Sequence, residues 1–240
     1  MNTIPQIRQN QNQNRQLNRL FASIAPWYDL LNHSLSLGLD FYWRKRLIDT
    51  LHLRPKQKIL DIACGTFDLS IAACKRNPEI IVYGLDYTLD MLKTGKTKIK
   101  NFPQILPLQG DGKFLPFADN SLDKVMLGFG IRNIPPYPKT LKEIFRVLKP
   151  GGSLHILEFG SGRQRIWKGL YNFYLQQILP LIGGIVSRDK PAYTYLAQTI
   201  SQFPLPRDFA QIIYQTGFTY VTYFPLSSGI VYIHLAQKPI

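Results

Sequence analysis

The stretch Ile59-Leu60-Asp61-Ile62-Ala63-Cys64-Gly65-Thr66 constrains this chain more than any other. From Ile59 to Ala63 an apolar run is interrupted by a single carboxylate. It stops at Gly65, and helical spacing begins at Leu69 with Ile71, Ala72 and Ala73. That pattern predicts strand, tight turn, helix. In a doubly wound sheet such a turn lies at the carboxyl end of the first strand, where bare backbone lets a ligand approach, and Gly65 can take a positive φ there without steric cost. A second apolar run, Ile80 to Asp86, ends in an acid about twenty residues beyond Gly65. This is the separation at which βαβ nucleotide folds set a carboxylate against ribose hydroxyls. Two strand ends and one acid outline an adenosine pocket.

The glycine spacing bears on which adenosine ligand enters. Dinucleotide sites use G-x-G-x-x-G so that a pyrophosphate can rest on the helix N-terminus, whereas here the corresponding positions are Gly65, Phe67 and Ser70. A benzyl group at 67 is expected to crowd a pyrophosphate. S-adenosylmethionine carries no phosphate, and an acidic turn containing Asp68 suits its sulfonium and amino group. A methyl donor therefore fits better than NAD, whose use would make the chain an oxidoreductase.

A chain of 240 residues is long enough for one α/β domain with a sizeable core, and an apolar content of 45% with 12% aromatics argues for a folded globule. Lys and Arg total 29 against 15 Asp and Glu, a net +14, which points to an anionic partner. The cations are dispersed and match no nucleic-acid motif, so an anionic membrane surface is expected and nucleic acid is not. Cys64 and Cys74 form neither a disulfide framework nor a four-ligand zinc set, and no metal site is expected. No apolar run approaches the length of a bilayer span, and Asn2 to Asn18 lacks a signal-peptide core. A cytoplasmic protein, at most peripheral on the inner face of the membrane, is the expectation.

Residues 1–16 read as a disordered polar tail and 17–240 as one domain. Within that domain, 17–50 form an aromatic and cationic prefix that can close as a helical lid over the sheet's carboxyl edge. Ile105–Gln109 is a third strand ending in Gly110-Asp111-Gly112, where Asp111 can accept from an adenine amine. Asp123–Gly130 is a fourth strand, Lys139–Leu148 a helix stopped by Lys149-Pro150-Gly151-Gly152, and Ser153–Phe159 a fifth strand. Met91 begins a basic helix running to Lys100. Residues 160–205 form a helical insertion whose stripe of Trp167, Leu170, Tyr171, Tyr174, Leu175 and Ile178 can line a channel for a long apolar substrate. A helix over Asp208–Thr216 precedes a closing antiparallel pair, Tyr220–Phe224 with Val231–Leu235. The fold class is α/β, a doubly wound, mostly parallel sheet of seven strands.

Two stretches are specific enough to suggest a family: Tyr28-Asp29-Leu30-Leu31-Asn32 through Ser36 to Trp43-Arg44, and Arg146 to Leu154 through Leu157-Glu158. Between them, Ile62 to Thr66, Leu115-Pro116-Phe117 and Phe129-Gly130-Ile131-Arg132-Asn133 fall in the order of family blocks. From about Leu20 onward the chain resembles the ubiquinone/menaquinone biosynthesis C-methyltransferases, a branch of the Rossmann-like class I S-adenosylmethionine-dependent enzymes. It departs from their usual pattern at Phe67 (Gly in the family), Asp40 (His) and Gly160 (Ser).

The resemblance implies transfer of a methyl from S-adenosylmethionine to a polyprenyl quinol, demethylmenaquinol to menaquinol foremost, with a ubiquinone-pathway benzoquinol as the alternative. It places Asp61, Gly65, Thr66, Asp86, Asp111, Gly112 and Gly128 around the donor. Arg132 would stabilise a phenolate or hold a water that takes the proton, Tyr28 and Asp29 belong to the lid, and His33 is a candidate base. A homodimer or a quinone-making assembly is an expected state. If Phe67 obstructs the donor, the chain would instead be a degenerate, lipid-binding scaffold subunit.

Overall fold

The apolar runs of the chain assemble into a single twisted sheet. The computed structural model describes residues 18–160 and 190–240. Five strands run parallel: β1 Lys58–Ile62, β2 Ile81–Asp86, β3 Ile105–Gln109, β4 Leu122–Gly128 and β5 Leu148–Phe159. β6 Thr219–Leu226 and β7 Val231–Gln237 complete the sheet in the order β3-β2-β1-β4-β5-β7-β6. β7 lies antiparallel between β5 and β6. The chain winds outward from β1 to β3 and returns to β4, so the order reverses between β1 and β4, which is where doubly wound sheets open a crevice at their carboxyl ends.

Helices α1 Tyr28–Leu35, α2 Leu39–Thr50, α3 Asp68–Arg76, α4 Leu89–Gly95, α5 Tyr137–Val147, α6 Lys190–Gln202 and α7 Pro206–Gln215 surround the sheet. Because side chains alternate along a strand, Ile59 enters a core on one face with Trp43, Leu47, Phe67, Leu69 and Met126. Leu60 enters the core on the other face with Val125, Leu141, Ile144, Phe209 and Ile213. Both faces are covered, which explains the near-continuous apolar sequence of β1.

Two boundaries differ from expectation for physical reasons. β5 begins at Leu148 and not at Ser153, because Leu148 pairs with Leu122 of β4 ahead of an irregularity, and the Pro-Gly-Gly segment is tied to the carboxyl end: Gly151 N donates to Lys238 O at 3.0 Å and Lys238 N to Gly152 O at 2.8 Å. The basic helix after β2 stops at Gly95, well short of Lys100. A Cβ at Gly95 would lie 2.6 Å from the Phe67 ring and 2.8 Å from Thr66 Cα, so the helix approaches the β1 turn as closely as glycine permits. The expected tail at 1–16 and the aromatic stripe from Trp167 to Ile178 lie outside the described residues.

The prefix folds against this frame. Residues 18–24 are helical, a 3-10 turn spans Ala25–Trp27, and α1 and α2 form a hairpin. Leu31 packs with Ile200 of α6, and Trp43 Nε1 donates to Ser227 Oγ at 2.8 Å.

Candidate active site

At the switch point, the turns after β1, β2, β3 and β4 wall an open cleft of about 740 Å³, solvent at its mouth included. Its floor is backbone and apolar side chains: Ile62, Ala63 and Gly65 after β1, Leu85 and Asp86 from β2, Gly110 to Gly112 after β3, Phe129 and Gly130 after β4. Asn18, Phe21 and Tyr28 come from the prefix, and Met91 from α4. Gly130 is required by its neighbours, since a Cβ there would stand 2.5 Å from that of Ala63. Gly65 has φ +54°, and the space a side chain would need is taken by the Tyr28 ring, 3.5 Å from the Cβ position.

Asp86 is the polar centre. Its Oδ2 accepts from Gly65 N at 2.8 Å and its Oδ1 from Thr88 N at 2.8 Å, which fixes the carboxylate and shapes the β1 turn around it. Burial raises its pKa, against the pull of the backbone N–H groups of Thr88, Gly65 and Tyr87. A carboxylate has about four acceptor sites; the short backbone bonds from Gly65 and Thr88, with the weaker pull of Tyr87, leave capacity for a ligand hydroxyl. The Asp111 carboxylate also borders the cleft, already accepting from Lys113 N at 3.0 Å, with Lys113 Nζ at 3.6 Å.

Of the residues expected around the donor, Gly65, Asp86, Asp111 and Gly112 line the cleft, with Tyr28 above them, whereas Asp61, Thr66, Gly128, Asp29 and Arg132 do not. Asp61 is buried behind the β1 turn and accepts from Ser70 Oγ at 2.6 Å; burial pushes its pKa up to about 7. Gly128 faces Leu69 of α3. The Thr66 hydroxyl donates to Asp29 Oδ1 at 2.5 Å, and Lys98 Nζ donates to Asp29 Oδ2 at 2.7 Å and also pairs with Asp68, which joins the prefix to the β1 turn. Arg132 forms a buried ion pair with Glu158 at the end of β5, Nη1 to Oε1 2.7 Å, and donates to Phe129 O at 2.5 Å. Its Nε is buried without a partner among the described residues.

His33 does not reach the cleft. Its Nδ1 lies 2.7 Å from Asp40 Oδ2, its ring stacks on Phe41, and Asp40 also pairs with Arg44. Burial raises the Asp40 pKa, but Ser36, Arg44 and His33 outweigh it and hold the carboxyl below its usual range. Phe67 departs most from expectation. Its ring is fully buried and points into the core between Gly84 and Gly95, whose Cβ positions each lie 2.6 Å from it. It obstructs neither a pyrophosphate nor a methyl donor, so the glycine-count argument against NAD loses that support, and so does the scaffold alternative.

Sequence patterns did not signal Asn18, Phe21, Met91 or Thr88 as wall residues, because their positions depend on tertiary packing. Asn18 Oδ1 is buried without a partner among the described residues and borders the cleft, an acceptor awaiting a donor. An adenosine nucleoside with a sulfonium tail fits this donor set. Asp86 can take the ribose, apolar walls of Ile62, Leu85, Met91 and Ile134 the base, and Asn18 Oδ1 an N–H; among the described residues, the cation that lines the cleft is Lys113, which Asp111 faces.

The family model described as the ubiE/COQ5 methyltransferase family matches residues 8–238. The chain belongs to that family. It is an S-adenosylmethionine-dependent methyltransferase. Among its relatives, a demethylmenaquinone methyltransferase of Paenarthrobacter aurescens is 40% identical over 92% of this chain and 85% of its own length. A protein of the same name from Thermus thermophilus is 38% identical over 92% of this chain and 100% of its own. A ubiquinone/menaquinone biosynthesis C-methyltransferase UbiE of Geotalea uraniireducens is 36% identical over 92% and 96%. In fold, the methyltransferase is similar to Haemonchus contortus phosphoethanolamine N-methyltransferase 2 solved with S-adenosyl-L-methionine, TM-score 0.64 at 16% identity, covering 82% of this chain and 52% of that one. It is equally similar to the [4+2]-cyclase SpnF, TM-score 0.64 at 16% identity over 95% and 96% of the two chains.

Proposed function

We propose that this methyltransferase methylates a ring carbon of a polyprenylated quinol, converting a demethylmenaquinol to a menaquinol. What carries this is the identity of 38–40% to two relatives of that name over 92% of the chain, joined to a cleft whose one rigid carboxylate is free to hold a ribose. Bound there, S-adenosylmethionine supplies an electrophilic methyl on its sulfonium. Asp86 holds the sugar, the turn around Gly65 passes beneath the donor, and Tyr28 covers it. Burial raises the Tyr28 phenol above its ordinary pKa, against the lowering effects of Asn32, Arg44 and Arg132, so it remains a neutral donor at physiological pH.

The ring carbon becomes nucleophilic as the neighbouring hydroxyl loses its proton. The carbon then takes the methyl, and its own hydrogen leaves as a proton when aromaticity is restored. Arg132, paired with Glu158 behind the cleft wall, donates to Phe129 O and so steadies the β4 turn against which the substrate ring must lie. A prenyl tail would keep the substrate in a bilayer, so this reading calls for an enzyme that works at the surface of a membrane. Among the described residues, no helix is long and apolar enough to cross it.

The test is purified enzyme with the donor and a reduced demethylnaphthoquinol, analysed by mass. Product is expected only from the reduced ring. Methylation of a benzoquinol alone would move the assignment to the ubiquinone-type reaction, which the name of the Geotalea relative keeps in view. No product from either ring by protein that binds S-adenosylhomocysteine would defeat it.

A further inference from the structure

The α1–α2 hairpin that roofs the cleft exposes several large apolar side chains close together in sequence, where α4 and α7 expose one each, Leu89 and Tyr214. Leu37, at the tip, is 88% exposed and has φ +52°, a left-handed conformation that a leucine adopts at a cost. Phe41, one turn further along α2, is 59% exposed; Leu30 of α1 is 53% exposed and Trp27 just before it 50%. His33 of α1 stacks on Phe41 of α2, ring centroids 4.2 Å apart, and Leu37 lies in the short turn that joins the two helices.

The exposed charges on the next turn of α2 are cations, Lys45 and Arg46. Of the hairpin's carboxylates, Asp40 is buried against His33 and Arg44, Asp29 is held by Thr66 and Lys98, and Asp49, at the far end of α2, pairs with Arg76 at 3.8 Å. Apolar side chains at a tip with cations one turn behind are the arrangement of a segment that inserts its edge into the acyl boundary while its charges meet acidic headgroups. A protein partner with an acidic rim would meet the same charges, but the net +14 of the whole chain favours an extended anionic plane over one local patch.

We infer that the α1–α2 hairpin is the membrane-docking face, seating Trp27, Leu30, Leu37 and Phe41 in an anionic bilayer with Lys45 and Arg46 against its headgroups. This rests on the proposed quinol activity only for its purpose. The hairpin carries Tyr28 over the donor, so docking sets the mouth of the cleft against the lipid that holds a prenyl tail.

Flotation of the full chain with vesicles of phosphatidylglycerol and phosphatidylcholine, and with phosphatidylcholine alone, tests the inference. Binding is expected to the mixed vesicles and to weaken with salt. Leu37→Asp and Phe41→Asp are each expected to reduce partitioning at least about tenfold, and Lys45→Glu with Arg46→Glu to abolish the preference for the anionic lipid. Leu37, Lys45 and Arg46 are exposed, so the thermal midpoint and donor affinity should be unchanged in their variants, whereas Phe41→Asp also gives up the stack on His33 and is expected to lower the midpoint. Equal partitioning of wild type and the Asp variants would overturn the inference. So would equal binding to neutral vesicles, or a change from dimer to monomer in the Asp variants, which would make this surface a contact between two copies. Vesicle binding that obeys these expectations without quinol methylation would leave the docking face standing and remove the activity.

Discussion

Phe67 sits at the N-cap of α3 with φ +70°, and this left-handed turn sends its ring downward into the core. The amino-acid pattern could not disclose that direction, because an aromatic in a ligand-binding turn reads as an obstruction until the backbone conformation is known. Phe67→Ala should therefore cost about 3–5 kcal/mol of stability, the range for emptying a buried aromatic site, while the folded fraction binds S-adenosylhomocysteine as before. A variant of unchanged stability with tighter donor binding would place the ring in the cleft instead. Asp86, by contrast, was legible from spacing alone, since a strand-end acid about twenty residues past the first glycine turn has one geometric destination. Asp86→Asn, which retains one acceptor, should lose part of the donor affinity, and Asp86→Ala about 1.5–3 kcal/mol, as expected for hydrogen bonds to a charged group. Calorimetry that finds the same dissociation constant for all three proteins would remove it from ribose binding. Arg132 was visible as a strand-end cation, but its ion pair with Glu158 was not, because that pair exists only once β4 and β5 are neighbours.

The strands were readable as elements because their apolar runs end in glycine or acid. The association of the prefix with the β1 turn was only an expectation, and its fastening was invisible. That fastening is Lys98, in the segment after α4, which meets Asp29 from α1, Thr66 from the turn and Asp68 from α3. Two distant parts of the chain, the prefix and the β1 turn with the start of α3, thus share one ammonium, about a quarter exposed. Removing it should loosen Tyr28 over the donor without touching the reacting atoms. For Lys98→Met we expect a rise in donor KM of about fivefold, the equivalent of about 1 kcal/mol for a partly exposed pair, with kcat retained at saturation and partial rescue by Lys98→Arg. A fall in kcat with an unchanged donor KM would show that Lys98 does not act through the lid.

For the whole molecule, acid sensitivity follows from two buried histidines in the sheet. His155, between Thr50 and Ser153, is held to a pKa of about 3 by burial and by the nearby Lys124 and His52, and burial lowers His234 to about 4 although Pro206 O accepts from its Nε2. Both remain neutral in the fold and take up protons in the unfolded chain below about 6.5. Stability is therefore lost as pH falls from about 6.5 towards 4, His234 alone contributing at most about 3 kcal/mol. Asp61 works in the opposite sense. With its pKa raised to about 7, it binds a proton more readily folded than unfolded, so its contribution grows as pH falls from about 7 towards 4. The thermal midpoint should be lower at about pH 5 than at about pH 7, and Asp61→Asn should widen that gap by removing the compensating proton. A gap that narrows in the variant would mean that Asp61 is ionised in the fold throughout.

Gly84 on β2, Gly95 at the end of α4 and the benzyl group between them are one volume shared by three positions. Bulk can be relocated between the turn and the strand but not added: a methyl at Gly84 needs position 67 to shrink, whereas at Gly95 the Thr66 backbone forbids it whatever stands at 67. Size can thus pass from the turn to the strand while the ligand above rests on the same unaltered main chain.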